Sequence, residues 1–299
     1  MGEIAALLTS LCWATSSLFF SISSQKVGSV VVNRMRLLFA VLLLTLTHLI
    51  TQGQLIPLHA SPDRWLWLGL SAVVGLVLGD AFLLQSYVLV GVRIGTLIMS
   101  SVPVISALTA WIFLGETLNW MQISGIVLAV SGISFVVLGR ESGGSIAKNR
   151  RDYLLGIACG LGGALGQALG LILAKKGLYD GFPVLSGVVI RMLVAMIVMW
   201  AGALLTGQFR STLQLVGSQP RILRLIGFGS IAGPFLGVWL SLIAVQNASV
   251  GVSSTLMALA PIILLPVMKW GFKEHVSARA VIGTVIALAG VAVILMVPH

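Results

Sequence analysis

The sequence predicts an all-α integral membrane protein: ten transmembrane helices in two inverted five-helix repeats around a central cavity. Three observations lead there. The chain is 58% hydrophobic and only 9% charged, with a mean hydropathy of +1.08, so apolar sequence runs almost unbroken from Ile4 to Val297. Its second half repeats the layout of its first. Pro103, Glu116, Gly125 and Gly132 recur as Pro261, Glu274, Gly283 and Gly290, each pair 158 residues apart. The only extended polar insert, Gly139–Asp152, falls between the copies.

Runs of roughly 20 apolar residues are long enough to cross a bilayer as helices. They fall at about 4–24, 29–50, 65–90, 94–114, 119–139, 153–174, 183–206, 222–246, 249–272 and 277–297. The first is expected to stay in the protein, because Met1-Gly2-Glu3 lacks a basic n-region and the apolar run exceeds signal-peptide length. Leu7 stands where a myristoylation signal wants Ser or Thr. The second run carries Arg34 and Arg36 just inside its start, and the third carries Asp80. The fourth contains Pro103, about ten residues in, where a proline cannot donate to the carbonyl four back, that of Met99. The fifth follows Asn119, a good N-cap, as the tenth follows Ser277.

In the sixth run Gly160, Gly162, Gly163, Gly166 and Gly170 allow close backbone approach, the usual device for helix packing in lipid. The seventh repeats the second, with Arg191-Met192-Leu193-Val194-Ala195 against Arg36-Leu37-Leu38-Phe39-Ala40. The eighth has Val238 where the third has Asp80, and in the ninth Pro261 faces the Met257 carbonyl as Pro103 faces that of Met99. The short alternating segments of a membrane β-barrel are absent. The predicted organisation is a first repeat over 1–139, a polar linker over 140–152 and a second repeat over 153–299.

The net charge of +10 is scattered over short loops rather than gathered on one face, which argues against nucleic acid. Connections after odd-numbered helices hold eleven Lys and Arg, while those after even-numbered helices hold only Arg64, Lys175 and Lys176. The positive-inside rule then places both termini outside the cytoplasm. Five helices per copy have a geometric consequence: the second copy enters the membrane from the opposite side. Halves so related can exchange conformations, which supplies inward-open and outward-open states. Cys12 and Cys159 lie alone in apolar spans and read as buried thiols, since two isolated cysteines offer no metal-ligand spacing. No cofactor is expected.

The pattern Pro103, Leu114-Gly115-Glu116, Leu118, Gln122, Gly125 and Gly132, then Pro261, Glu274, Val276, Gly283 and Gly290, resembles two EamA domains of the drug/metabolite transporter superfamily. The resemblance covers nearly the whole chain. It implies a ten-helix carrier of the cell membrane, in bacteria the inner membrane, often an exporter of amino acids or other small metabolites, with a cavity between the halves. Two departures stand out. Relatives are generally drawn with cytoplasmic termini, against the charge count, and Lys273 occupies the position of Gly115.

The repeat sorts the polar residues. Features in both copies point to architecture, and polar groups in one copy only are better candidates for chemistry. Glu116 and Glu274 belong to the first class, as carboxylates at tight turns that can bond exposed N–H groups of the following helix. Pro103 and Pro261 are candidate bending points, with Met99 and Met257 lining the cavity beside them. Arg36 and Arg191 lie two turns inside their spans, where they either snorkel to headgroups or attract a carboxylate substrate. Arg34 is shallower and expected at the interface.

Asp80 is the asymmetric residue at membrane depth. An unpaired carboxylate there costs several kcal/mol, so it needs a partner, water or a proton, and Arg36 is at comparable depth. Trp13 and Ser17 share a helix face. With Gln85, Gln167 and Trp239 they complete the candidate substrate contacts, each of which could equally be packing.

HExxH, GxxxxGK[ST] and GxSxG are absent in suitable contexts, and the four histidines are dispersed. The leading expectation is therefore a non-enzymatic secondary carrier of a small-molecule metabolite, with proton coupling through Asp80 left open. Its partners are membrane lipid and that metabolite, and internal duplication makes a monomer the expected state. Two other classes remain: an integral-membrane lipid-modifying enzyme, which needs Arg36, Asp80 and histidines to converge, and a non-transporting scaffold, which needs no polar cavity.

Overall fold

A computed structural model describes residues 1–138, 149–260, 262–263 and 278–296, and no strand occurs among them. Helix α1 (Gly2–Val27) meets α2 (Ser29–Gln52) across Gly28, whose φ of 86° costs glycine nothing. Next come α3 (Pro62–Ser71), a π-helical segment Ala72–Gly79, and α4 (Asp80–Met99), which is interrupted by non-helical Gly91. Then follow α5 (Val102–Leu114) and α6 (Trp120–Leu138).

The second half runs α7 (Arg150–Gly177), a 3-10 turn Tyr179–Gly181, α8 (Val184–Leu205), α9 (Phe209–Gly217) and α10 (Pro220–Ser230). A π-helical segment Ile231–Gly237 leads into α11 (Val238–Asn247), followed by α12 (Val250–Met257) and α13 (Ala278–Leu295). Among the described residues, six helical runs are long and apolar enough to span a membrane: Gly2–Val27, Ser29–Gln52, Pro62–Gly91, Arg150–Gly177, Val184–Leu205 and Pro220–Asn247. Shorter apolar helices accompany them at Val102–Leu114, Trp120–Phe135 and Val281–Ile294.

The irregularities repeat along with the helices. The π segments end at Gly79 and Gly237, and a turn follows Met99 and Met257, each pair 158 residues apart. In the second π segment Pro234 removes a backbone donor and crowds the preceding turn, so the wider turn relieves it. The first has Leu76 at that position and instead lays Gly75 and Gly79 against Gly170 and Gly166 of α7. A Cβ on Gly166 would stand 2.6 Å from the Gly79 Cα, so only glycines allow this crossing.

Packing between the halves is reciprocal. Helix α1 packs on α10, its π segment and α11, while α7 packs on α3, its π segment and α4. Likewise α12 meets α1 as α5 meets α7, and the pairs α2 with α8, α5 with α12 and α6 with α13 join equivalent elements. The recurring glycines meet one another at the last pair. A Cβ on Gly125 would come within 2.9 Å of the Gly290 carbonyl oxygen, and one on Gly132 within 2.6 Å of the Gly283 oxygen. In lipid, where burial of apolar surface supplies no drive between helices, such backbone contact is what packs them.

Four sequence expectations change here. The helix expected without a break over 94–114 is divided by a turn at Ser100–Ser101, so Pro103 is no mid-helix kink. It sits in the first turn of α5, where its missing N–H is not needed. Glu116 does not serve the helix after it. Asn119 and Gln122 cap α6 reciprocally, at 3.0 and 2.8 Å, while a Glu116 carboxylate oxygen accepts the Val250 N–H at the start of α12, 2.9 Å away. The same carboxylate pairs with Lys175 Nζ at 2.7 Å, and that ammonium donates to the Ala248 carbonyl at 2.8 Å.

The connection expected over 207–221 contains helix α9. Its Thr212, together with Gln208 just before the helix, accepts from a buried Arg34, which is thus no headgroup contact. Cys12 and Cys159 are free but only half-buried. Pro261, Glu274 and most of the predicted linker lie outside the described residues.

Candidate functional site

A cavity of about 150 Å³ lies between the halves. Its walls are helix stripes at spacings of three and four. From α1 come Trp13, Ser16, Ser17 and Phe20, and from α4 come Asp80, Leu83, Leu84 and Tyr87. Helix α7 adds Gln167 and Leu171, and the second π segment with α11 adds Pro234, Val238 and Ser241. The broken turns contribute Met99 with Ser100 and Met257 with Ala258, and the equivalent helices α2 and α8 contribute Arg36 and Arg191.

The charged floor is assembled around the first π segment. Asn33 donates to the Leu76 and Val77 carbonyls at 3.3 and 3.4 Å, acceptors that the widened turn leaves available. Its own carbonyl oxygen accepts from Arg36 Nε at 2.8 Å, fixing the guanidinium. Arg36 Nη2 then bonds the Asp80 carboxylate, and the Phe20 ring lies 5.7 Å from the guanidinium carbon. The two side chains are only 7% and 15% exposed, so the pair is desolvated. Arg36 is thus the partner Asp80 needs at that depth.

Arg191 differs. Its residue is 3% exposed, its Nε has no hydrogen-bond partner, and among the described residues its guanidinium forms no ion pair. The cavity therefore holds two cations and one carboxylate, Asp80, which pairs with Arg36 and acts on Arg191 from beyond ion-pair distance.

Trp13, Ser17, Arg36, Asp80, Met99, Gln167, Arg191 and Met257 all line this space. Gln85 and Trp239 do not. Gln85 is five residues past Asp80, off the stripe, and accepts from Ser29 at 2.7 Å to hold the α1–α2 corner. Trp239 follows Val238 by one residue and so turns away, packing on Phe235 with ring centroids 6.2 Å apart. Pro103 lies beside the cavity without lining it. Phe20 and Tyr87 were missed, although each stands seven residues from a chosen residue on the same face, Trp13 and Asp80.

Neither His48 nor His59 lines the cavity, so no histidine described joins Arg36 and Asp80. His48 instead bonds the Gln54 carbonyl and the Ser186 hydroxyl. No group of three or more His, Cys, Asp and Glu among the described residues could hold a metal.

The family model described as the EamA-like transporter family matches residues 1–138 and again 154–296. The chain belongs to this family. Two EamA matches in one chain make it an internally duplicated transporter of the membrane, and members of its family are transporters rather than enzymes. A solved crystal structure of a protein resembles this EamA-like transporter with a TM-score of 0.75, over 98% of this chain and 94% of that one. At 16% identity that likeness shows the fold alone. No curated protein matches the chain.

Proposed function

We propose that this chain is a secondary carrier that moves a small organic metabolite across the cell membrane by alternating access between two inverted five-helix repeats. The observation that carries the reading is reciprocal packing around a polar cavity. When element X of one half touches Y of the other, and Y of the first touches X of the second, the halves are related by a two-fold operation. With five crossings per half that axis lies in the membrane plane, the arrangement that lets one half take up the other's conformation.

Contacts at the helix ends support ten crossings. Those crossings put Glu116, Lys175 and Val250 at one surface, where the Glu116 carboxylate bonds the other two. They place Arg34 and Thr212 near the opposite surface, and these two also bond, at 2.9 Å.

Export is the direction expected of a metabolite carrier of this family. Asp80 is the residue through which a proton could couple, and its replacement by Asn should alter transport and its pH dependence. The test is counterflow in liposomes holding the purified protein, with candidate metabolites drawn from an untargeted comparison of cells with and without it. Exchange of a labelled metabolite that depends on unlabelled metabolite on the far side supports the carrier. No exchange with any metabolite pool leaves a scaffold.

A further inference from the structure

We infer that the cavity takes an organic monoanion, a carboxylate on a small apolar skeleton, with Arg191 as the counter-charge; this rests on the carrier reading. Arg36 and Asp80 neutralise each other inside the cavity, and among the described lining residues the remaining charged group is Arg191. A buried guanidinium with no carboxylate in ion-pair contact, Asp80 being bonded to Arg36 and acting on Arg191 only from farther off, is an expensive arrangement in a protein surrounded by lipid. Its equivalent in the first repeat, Arg36, has the partner that the second repeat lacks, because Val238 stands where Asp80 does. An anion entering the cavity would supply it.

The guanidinium is also the side chain best shaped for a carboxylate, which it grips with two parallel N–H donors. Nε of Arg191 is buried with no acceptor, so one donor of that fork is free. A zwitterion fits less well. Its ammonium would have to share Asp80 with Arg36, and the filled cavity would keep a net positive charge, whereas a monoanion brings it to neutral.

The rest of the ligand meets Trp13, Phe20, Met99 and Met257, surfaces that suit an aromatic or branched apolar body. The volume of 150 Å³ is that of a cavity able to hold about one benzene ring. Movement of one negative charge per cycle has an energetic consequence. A 100 mV potential, negative inside, is worth about 2.3 kcal/mol per charge, or about a 50-fold outward bias, with no coupling ion.

The experiment uses the full chain in liposomes and a panel of small aromatic and branched carboxylates, each beside its primary amide and its α-amino acid. At least one acid should exchange, its amide about 10- to 100-fold more weakly, as loss of a charged hydrogen-bonding partner implies. An imposed inside-negative potential should drive that acid outward and leave the amino acid unbiased. Arg191→Met should abolish the preference for acids while the empty protein melts at the same or a higher temperature, and Arg191→Lys should keep part of the preference. Amides or amino acids exchanged as well as acids, or an Arg191→Met protein that still prefers acids, overturns the inference and leaves the carrier intact. If Arg191→Met fails to fold, the acid-against-amide ratio of the unaltered protein decides alone. Absence of all exchange would instead defeat the carrier reading itself.

Discussion

Replacing Asp80 by Asn probes the charge pair under the cavity. The substitution keeps the size of the side chain but leaves Arg36 without its carboxylate, in a place where the two side chains are 7% and 15% exposed. Breaking a buried pair by removing one partner costs about 3–5 kcal/mol. Arg36 would still hold Asn33 Oδ1 at 2.8 Å and lie near the face of Phe20, which puts the loss at the low end, about 3 kcal/mol. At about 2 °C per kcal/mol for a chain of this size, the melting temperature of the detergent-solubilised protein should fall by about 6 °C. Arg36→Met alone should cost a similar amount.

The double variant, with no charge left to desolvate, should recover most of that loss and lie within about 1 kcal/mol of the parent protein. Melting would be followed by tryptophan fluorescence, with Trp13 of the cavity wall as one reporter. Additive losses in the double variant, or no loss in Asp80→Asn, would refute the view that the two residues act as one buried pair.

Three other outcomes follow from the same contacts. Gly132→Leu or Gly290→Leu should prevent the close approach of α6 and α13, because the atoms in the way are backbone, and a much-reduced yield of folded protein by size-exclusion chromatography checks it. Glu116→Gln should lower stability by about 1.5–3 kcal/mol, through the lost charged bonds to Lys175 and the Val250 N–H, measured by thermal melting with Lys175→Met as the paired variant. Gln167→Leu should reduce counterflow about tenfold or more by removing a polar cavity contact, whereas Gln85→Leu, off the cavity, should change it less than about twofold.

Much of this was legible in the residues, and the rest failed for identifiable reasons. The 158-residue offset announced two copies, and one of its markers, Pro103, sits next to the turn after Met99. The break itself was not legible, because an apolar run through Ile94–Leu114 looks the same whether or not the backbone turns at Ser100. The π segments were likewise hidden. One is accounted for by Pro234, which was not singled out, and the other depends on α7 glycines nearly a hundred residues away.

Among site residues, Asp80, Arg36 and Arg191 stood out because charge at membrane depth needs a reason. Gln85 and Trp239 were chosen as polar or aromatic groups at membrane depth, and helical phase turned both away from the cavity. Glu116 was legible as a cap, but its partners belong to the other half, and a sequence read one repeat at a time hides bonds between repeats.

Alternating access requires that one cavity open to each side of the membrane by turns. A protein with Cys12 and Cys159 replaced by Ala and Ser17 replaced by Cys would carry its single thiol on the cavity wall. A membrane-impermeant thiol reagent should label it both in right-side-out and in inside-out vesicles. Labelling from one side only, or from neither, would contradict alternating access.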